Sequence, residues 1–596
     1  MNRLLANQLT NILRGNIGSD DFYPFTYQLM AWVRLSKLKA LPTKLSFNPD
    51  DSIRDIKEVT RIFSELAQTK ELANAQAFSH IGAAINHVSP GQLLQALELL
   101  NASNLKTAWP VDDLIQNISI HSFRGANVIP DELSNLMIAL CKIDANEYVY
   151  IPFEQSYQLT ARVIDGNGIP FIESALAGPA PWLINILSDQ NIHIHIGDSI
   201  RSPGFLNEGR LERFSKSISF PPLNYRYEPT IVENDLFQRF PKETSSIAVL
   251  ATRHIMARTQ QRAVIAVPNG LLFSPGAERS LRDDLLQKGM IGTVIALPPA
   301  LLPGTTIPFS ILVLKLDEPC KDILFVDGAS ESFHTKDGRS RSTLTGWQEI
   351  VSICNARITS KNSALLTCNE VIANDSQLQV ARYCRNDELG AVDALLAKYK
   401  TVPLIELVSF HRPVPLEKDG TVDAVDVYEF GPADFPNYGY ATNPGRSVKI
   451  SETRSVSAKK QFLKSLDIAI AIKGSVGKVA IMPQEVPNDW VVGQSCLALR
   501  MFDNNVLDPR VLFTFLKSAA GQLLLKQIVS GAAVPLIQLR ELEKIKIPVP
   551  TAEEQKQIIE KFESLAAVES QIKKLLLKLE NDSASIWRNE DIHDGI

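Results

Sequence analysis

The sequence predicts a multidomain α/β protein. Its 596 residues exceed what one ordinary core accommodates. From about residue 126 to 350, short apolar runs alternate with helical stretches, the pattern of a sheet flanked by helices. From about 400 to 550 the chain is dense in short strands and turns, and a long heptad-patterned helix follows.

The first segment, about residues 1–125, reads as helical. Leu4, Leu5, Leu9, Ile12 and Leu13 recur at helical spacing, as do Leu93, Leu94, Leu97, Leu99 and Leu100. Ser89-Pro90 supplies an N-cap followed by proline in the first turn. Strands are expected at Tyr148–Pro152, Ile192–Ile196, Ala263–Val267, Thr293–Leu297 and Ser310–Leu316, with a helix from about Ala277 to Gly289. Pro403, Pro413 and Pro415 mark the entry to another domain. In the last helix Ile558, Leu565, Val568, Ile572, Leu575 and Leu579 form a heptad seam, which either packs on its own domain or pairs with another helix.

Apolar residues make up 45% and charged residues 21%, ordinary for a globular protein. No apolar run is long enough for a membrane span, and the amphipathic Met1–Gly15 segment lacks the apolar centre of a signal peptide. The six cysteines are scattered singly without a CxxC pair, which points away from a zinc site or disulfide framework and towards a reducing cytoplasm. His193 and His195 alternate with isoleucines on one strand face. A half-exposed polar face explains them better than a metal pair, because no third ligand stands at a fixed spacing. The net charge of −5 does not itself indicate a nucleic-acid binder, so charge must be read locally.

A series of ordered blocks carries a family resemblance. Pro268-Asn269-Gly270, Arg282, Leu285-Leu286, Val294–Pro298 and Ile307–Leu314 follow one another, then Asn374-Asp375, Leu378 and Arg382-Tyr383. Further on come Leu466-Asp467-Ile468, Lys473–Ala480, Gly531–Val534 and Ile545–Pro550 with Glu553-Glu554-Gln555. The chain resembles the modification subunit of type I restriction–modification systems, an N6-adenine DNA methyltransferase family, fused to a single target-recognition domain of the specificity-subunit type. The resemblance implies a helical N-terminal domain (1–125), a Rossmann-like methyltransferase domain (126–385), a mixed α/β target-recognition domain (400–550) and a coiled-coil spacer helix (551–582).

Methyl transfer to adenine N6 requires close backbone approach to S-adenosylmethionine, which glycines permit, and an Asn or Asp before two prolines to accept from the adenine amine. In the family the cofactor segment reads roughly Val-Tyr-Asp-Pro-x-x-Gly-Ser-Gly-Gly. Here it reads Val149-Tyr150-Ile151-Pro152-Phe153-Glu154-Gln155-Ser156-Tyr157-Gln158. Pro152 and Ser156 remain, while the acid and three glycines do not. The catalytic segment, roughly Asn-Pro-Pro-Phe in the family, is Phe220-Pro221-Pro222-Leu223, and Phe220 cannot accept a hydrogen bond. Asn224-Tyr225 could restore an amide and an aromatic only through a shifted loop. By resemblance Glu173 corresponds to the acid on the cofactor ribose and Asp198 to the acid near its adenine ring. Each also reads as an ordinary solvated or capping carboxylate.

Between Arg446 and Lys478 stand eight basic residues against two acids. Arg446, Lys449, Arg454, Lys459, Lys460, Lys473, Ser475 and Lys478 are the candidate contacts to double-stranded DNA. The expectation is a sequence-specific DNA-binding, methyltransferase-like subunit of a restriction–modification or related DNA-defence system, without an intact catalytic residue and with no cofactor needed. It would recruit or regulate a partner enzyme as a homodimer or a hetero-oligomer. The alternatives are an active adenine methyltransferase using S-adenosylmethionine at a divergent site, and a scaffold that does not bind DNA.

Overall fold

A computed structural model describes residues 2–13, 19–49, 55–79, 86–115, 128–175, 178–240, 244–337, 341–384, 392, 394–413, 424–442, 444–451, 461–530 and 535–585. The chain divides into two compact units, residues 1–384 and 385–596.

The first unit is built on a nine-stranded sheet: β1 (Tyr148–Ile151), β2 (Ile169–Ser174), β3 (His193–Ile196), β4 (Phe214–Ser219), β5 (Thr259–Pro268), β6 (Ile291–Ala296), β7 (Phe309–Lys315), β8 (Asp322–Asp327) and β9 (Ser363–Thr367). Their spatial order is β3-β2-β1-β4-β5-β7-β6-β8-β9. Strands β1 to β5 are mutually parallel, whereas β7 runs antiparallel to both its neighbours. Their central positions are almost entirely buried, as expected where helices cover a parallel sheet on both faces. The five strands read from the sequence are all present within a few residues. β2 and β4 were hidden, β2 by its proline and β4 by its serines and lysine.

Helices α1 (Asn2–Leu13), α2 (Ser19–Lys37), α3 (Ile56–Ala67) and α4 (Pro90–Ala102) precede the sheet. Ser89 caps α4 in a reciprocal capping box with Gln92, which satisfies two orphan donors of the first turn. The helical segment does not stand apart from the sheet. One continuous apolar core runs from Leu9, Trp32 and Phe63 through Leu97 and Leu136 to Val149, Phe309 and Val326. Arg34 ties the two parts together, donating from α2 to the carbonyls of Leu105 and Ile186.

Helix α5 (Asp131–Cys141) leads into β1, and α6 (Gln158–Asp165) and α7 (Ala180–Ser188) follow β1 and β2. Helix α8 (Ile247–Arg258) precedes β5, α9 (Ala277–Gln287) lies between β5 and β6, and α10 (Trp347–Ala356) precedes β9. In α9, Arg282 is 1% exposed and donates to the carbonyls of Leu271, Ser274 and Ser376. Burial lowers its pKa to about 10, so it is still charged at neutral pH.

The second unit contains a four-stranded sheet and a three-stranded sheet. The first is ordered β11-β17-β14-β15 and the second β13-β12-β16. Their strands are β11 (Val408–His411), β12 (Ala424–Phe430), β13 (Arg446–Ser451), β14 (Ile468–Ala471), β15 (Val479–Ile481), β16 (Trp490–Val492) and β17 (Cys496–Met501), and β10 (Lys400–Pro403) pairs with β18 (Lys546–Val549). The C-terminal helix α11 (Ala552–Ser585) packs its first turns on this unit. Phe562 is buried edge-on against Tyr440 and Phe513, with Ile558 and Ile559 beside it. Beyond that point Leu565, Val568, Ile572, Leu575 and Leu579 are all about half exposed or more.

Arg282→Met should lower stability by about 3 kcal/mol, because three buried carbonyls lose a charged donor. Urea unfolding with an unchanged m-value checks this, and a loss below about 1 kcal/mol contradicts it.

Candidate functional site

In a parallel sheet, ligands bind outside the carboxyl ends of the strands where the strand order reverses. Here β1 has β2 on one side and β4 on the other, so the reversal lies between β1 and β4. Both degraded segments sit there, residues 152–158 leaving β1 and residues 220–223 leaving β4. The Ser219 hydroxyl donates to the Pro152 carbonyl at 3.1 Å and joins the two strand ends.

The loop after β1 is organised around Glu154. Its Oε1 accepts from the backbone amides of Gln155, Ser156 and Tyr157 at 3.0, 3.1 and 2.8 Å. Its Oε2 accepts from the amide and hydroxyl of Thr160. Burial pushes the Glu154 pKa up, and these donors offset part of the rise. The carboxylate therefore caps the N-terminus of α6 from within, on amides that such a loop otherwise offers to an external anion.

Tyr157 has φ of +61°, a left-handed conformation natural to glycine and costing another residue roughly 1 kcal/mol. The loop thus keeps a glycine's backbone at a position where the family has glycine, but adds a ring. That ring is 2% exposed, and its hydroxyl bonds the side chain of Ser174 at the end of β2, so it spans from the loop to the neighbouring strand end. At the end of β4, Phe220 is 5% and Leu223 8% exposed, and Phe220 packs edge-on against Phe309 of β7 at 5.4 Å. Pro221 is buried and Pro222 half-buried, whereas Asn224 and Tyr225 are exposed.

Glu173, at the end of β2, is fully buried. Its Oε2 accepts from the Tyr150 hydroxyl at 2.7 Å, its Oε1 accepts from the Gly204 amide at 2.9 Å, and Arg258 lies 3.5 Å away. Tyr150 also contacts Nε2 of His254 at 2.6 Å, and Arg239 donates to Nδ1 of His254 at 2.7 Å. Because a guanidinium only donates, Nδ1 is the acceptor and the ring proton resides on Nε2, which donates to Tyr150. The direction of donation runs Arg239, His254, Tyr150, Glu173. Burial, with Arg239 and Arg258 adding repulsion, holds the His254 pKa well below its usual range. Asp235 balances Arg239.

Asp198 accepts from the amides of Ile200 and Arg201 and from the Tyr227 hydroxyl, so it caps its own turn. His193 stacks on Phe171 at 4.0 Å, and His195 meets the Ser202 carbonyl. Among the described residues no cluster of metal-ligating side chains occurs.

In the second unit Lys473, Ser475 and Lys478 are exposed on the hairpin between β14 and β15, where Gly474 and Gly477 take φ of +75° and +85°. Lys449 is exposed on β13, while Arg446, at the start of that strand, pairs with Glu429 at 3.0 Å. Arg446 and Glu429 line a cavity of about 650 Å³ with Asp434, Gln461, Gln494 and Ser495. The hairpin reaches this cavity through the Ile472 and Lys473 amides, which donate to the Ser495 carbonyl. Arg454, Lys459 and Lys460, with Asn443 and Gly531–Val534, lie outside the described residues.

Residues 181–390 match the N-6 DNA Methylase family, and residues 426–581 match the type I restriction modification DNA specificity domain. One chain carries both domains. A 150-residue stretch is 29% identical to the type I restriction enzyme MpnII methylase subunit of Mycoplasma pneumoniae, covering 25% of this chain and 27% of that protein. A 142-residue stretch is 26% identical to the EcoBI specificity subunit of Escherichia coli, covering 23% of this chain and 29% of the other. Among the curated relatives compared, matches span between 27% and 41% of the relative's length. The type I methyltransferase subunit of Streptococcus thermophilus shares the fold, with a TM-score of 0.50 and 16% identity over 64% of this chain and 98% of that one.

The residues at the β1–β4 crevice do not fit S-adenosylmethionine, the cofactor that the resemblance implies. The loop amides are taken by Glu154, the Tyr157 ring spans the gap to β2, and both oxygens of Glu173 are engaged internally. Glu154 stands in the altered segment of the sequence, but nothing local marks it as the cap of α6. The Tyr150–His254–Arg239 chain carries no local sequence signal, since its members lie far apart along the chain. In the specificity domain Glu429, Asp434 and Gln494 went unnoticed for the same reason.

His254 makes stability pH-dependent. Its folded pKa is depressed, so its contribution is complete above the unfolded value of about 6.5 and is lost as pH falls below it. Thermal melts from pH 8 to 5 should show stability falling below about 6.5, by up to roughly 1.4 kcal/mol per pH unit from this group. His254→Gln should flatten that slope whatever its effect on stability at pH 8. An unchanged slope contradicts the assignment.

Proposed function

We propose that this chain is a sequence-specific DNA-binding subunit of a restriction–modification or related DNA-defence system, whose methylase domain does not transfer methyl groups but serves as a platform that recruits or regulates a partner enzyme. The observation that carries this reading is the Glu154 carboxylate seated on the three loop amides, with the Tyr157 ring beside it. An α-amino acid cofactor bound there would have to displace a buried anion that already has five donors. Phe220, in the catalytic position, offers an adenine amine no acceptor.

The specificity domain supplies the DNA-binding half of the proposal. The exposed lysines of the β14–β15 hairpin contact phosphates, and the neighbouring cavity, lined by Glu429, Asp434, Arg446 and Gln494, places donors and acceptors where base edges can be read. A single recognition domain reads one half of a two-part site. The half-exposed heptad face of α11, from Leu565 to Leu579, pairs with the same helix of a second copy or with a partner subunit.

Titration calorimetry with S-adenosylmethionine should give no saturable heat, and duplex DNA should gain no labelled methyl groups. Micromolar cofactor binding together with methylated DNA would establish the active-enzyme alternative instead. In a random-sequence selection the chain should enrich one DNA motif. Lys473→Glu with Lys478→Glu should weaken binding and lower the salt slope by about one per lost phosphate contact. Wild-type affinity in that variant removes the hairpin from the interface. Ile572→Glu with Leu575→Glu should convert a dimer into a monomer by light scattering, and a wild type that is monomeric with no co-purifying partner contradicts the pairing.

A further inference from the structure

The end of the large sheet opposite the β1–β4 crevice carries an unbalanced cluster of cations. Arg262 stands near the start of β5, in register with Lys216 of β4 on one side and Lys315 of β7 on the other. Like charges directly opposite across strands destabilise a sheet unless they are neutralised. Lys216 is neutralised by Asp144 and Glu147. Arg262 and Lys315 are not, and they line a cavity of about 330 Å³ with Lys142, Lys321 and Arg357. Asp322 is the one acid in that lining, and among the described residues none of the five cations has a carboxylate at ion-pair distance.

The cations are held in place by the fold. Arg357, just past α10, donates to the carbonyls of Gly292 and Asp322 at the starts of β6 and β8, which fixes its guanidinium against the cavity. Arg262 is partly buried, and its Nε is buried without a hydrogen-bond partner. Burial lowers the Arg262 pKa, with Arg357 adding repulsion, while Cys141, Asp317 and Cys320 offset part of the effect. The cluster therefore costs stability when empty of an anion, and the Nε–H of Arg262 remains to be satisfied.

We propose that this cavity is a phosphate-binding site, distinct from the methyltransferase crevice, that takes a ligand bearing two or more phosphate groups. Guanidinium pairs suit phosphate because their donors match its oxygens, and three lysines add charge without demanding a fixed geometry. Two sources present this chemistry: a free phosphoanion such as a nucleotide's phosphate chain, or consecutive phosphates of a nucleic-acid backbone.

The test uses the full chain at low salt, with inorganic tripolyphosphate as the probe in titration calorimetry. Saturable binding is expected in the wild type, with Kd raised roughly tenfold in Arg262→Gln and in Lys315→Gln, the cost of one lost charged partner. Circular dichroism melts confirm that each variant is folded, and Lys142→Gln, at an exposed position, serves where a strand variant is not. Absence of saturable heat in the wild type, or variants that bind as tightly as the wild type, overturns the proposal. A short duplex without a specific site distinguishes the sources. Competition by tripolyphosphate, with weakened duplex binding in Arg262→Gln, assigns the site to a nucleic-acid backbone. Unchanged duplex binding in a variant that has lost tripolyphosphate assigns it to a free phosphoanion.

Discussion

The backbone amides at the start of a helix must be satisfied, and in the first unit an internal carboxylate does this for α6. Glu154 accepts from three consecutive loop amides and from Thr160, so the turn after β1 keeps the shape of a ligand-binding loop while holding no vacancy for an external anion. Much else at the crevice follows from that substitution. With the amides satisfied internally, a glycine is no longer needed at residue 157, and a tyrosine occupies the left-handed position and extends to the end of β2.

The same exchange of ligand-facing groups for internal partners recurs one layer deeper. Glu173, which the resemblance aligns with a ribose-binding acid, directs its oxygens to Tyr150 and the Gly204 amide, with Arg258 near by. Such a buried network is costly wherever a donor goes unsatisfied, as Nε and Nη2 of Arg258 do here. The neutral His254 links the other members by accepting from Arg239 on one nitrogen and donating to Tyr150 from the other. Helix α8, the end of β1 and the end of β2 are thereby locked together.

The specificity domain shows the opposite organisation. Asp467 is buried and paired with Arg500, but other polar side chains are spread over an exposed hairpin and a surface cavity, and the distal face of the terminal helix is uncovered. The crevice of the first unit is thus filled by its own side chains, whereas the hairpin and the distal helix face of the second are exposed.

The linear sequence alone determined the features that depend on spacing: the strand blocks from Ala263 to Leu316, the Ser89 cap, the heptad pattern of the last helix, and the replacement of glycines and amide at the two motif segments. Periodicity and residue size are local properties and are visible in one dimension. β4 escaped because Ser217 and Ser219 are buried by neighbouring strands rather than by any apolar pattern of their own. Only the tertiary structure decided the roles of Glu173 and Asp198, the union of Tyr150, His254 and Arg239, and the row of Lys216, Arg262 and Lys315. The reason is that hydrogen bonding and charge act through space, and strand pairing sets groups many residues apart within a few ångströms of one another.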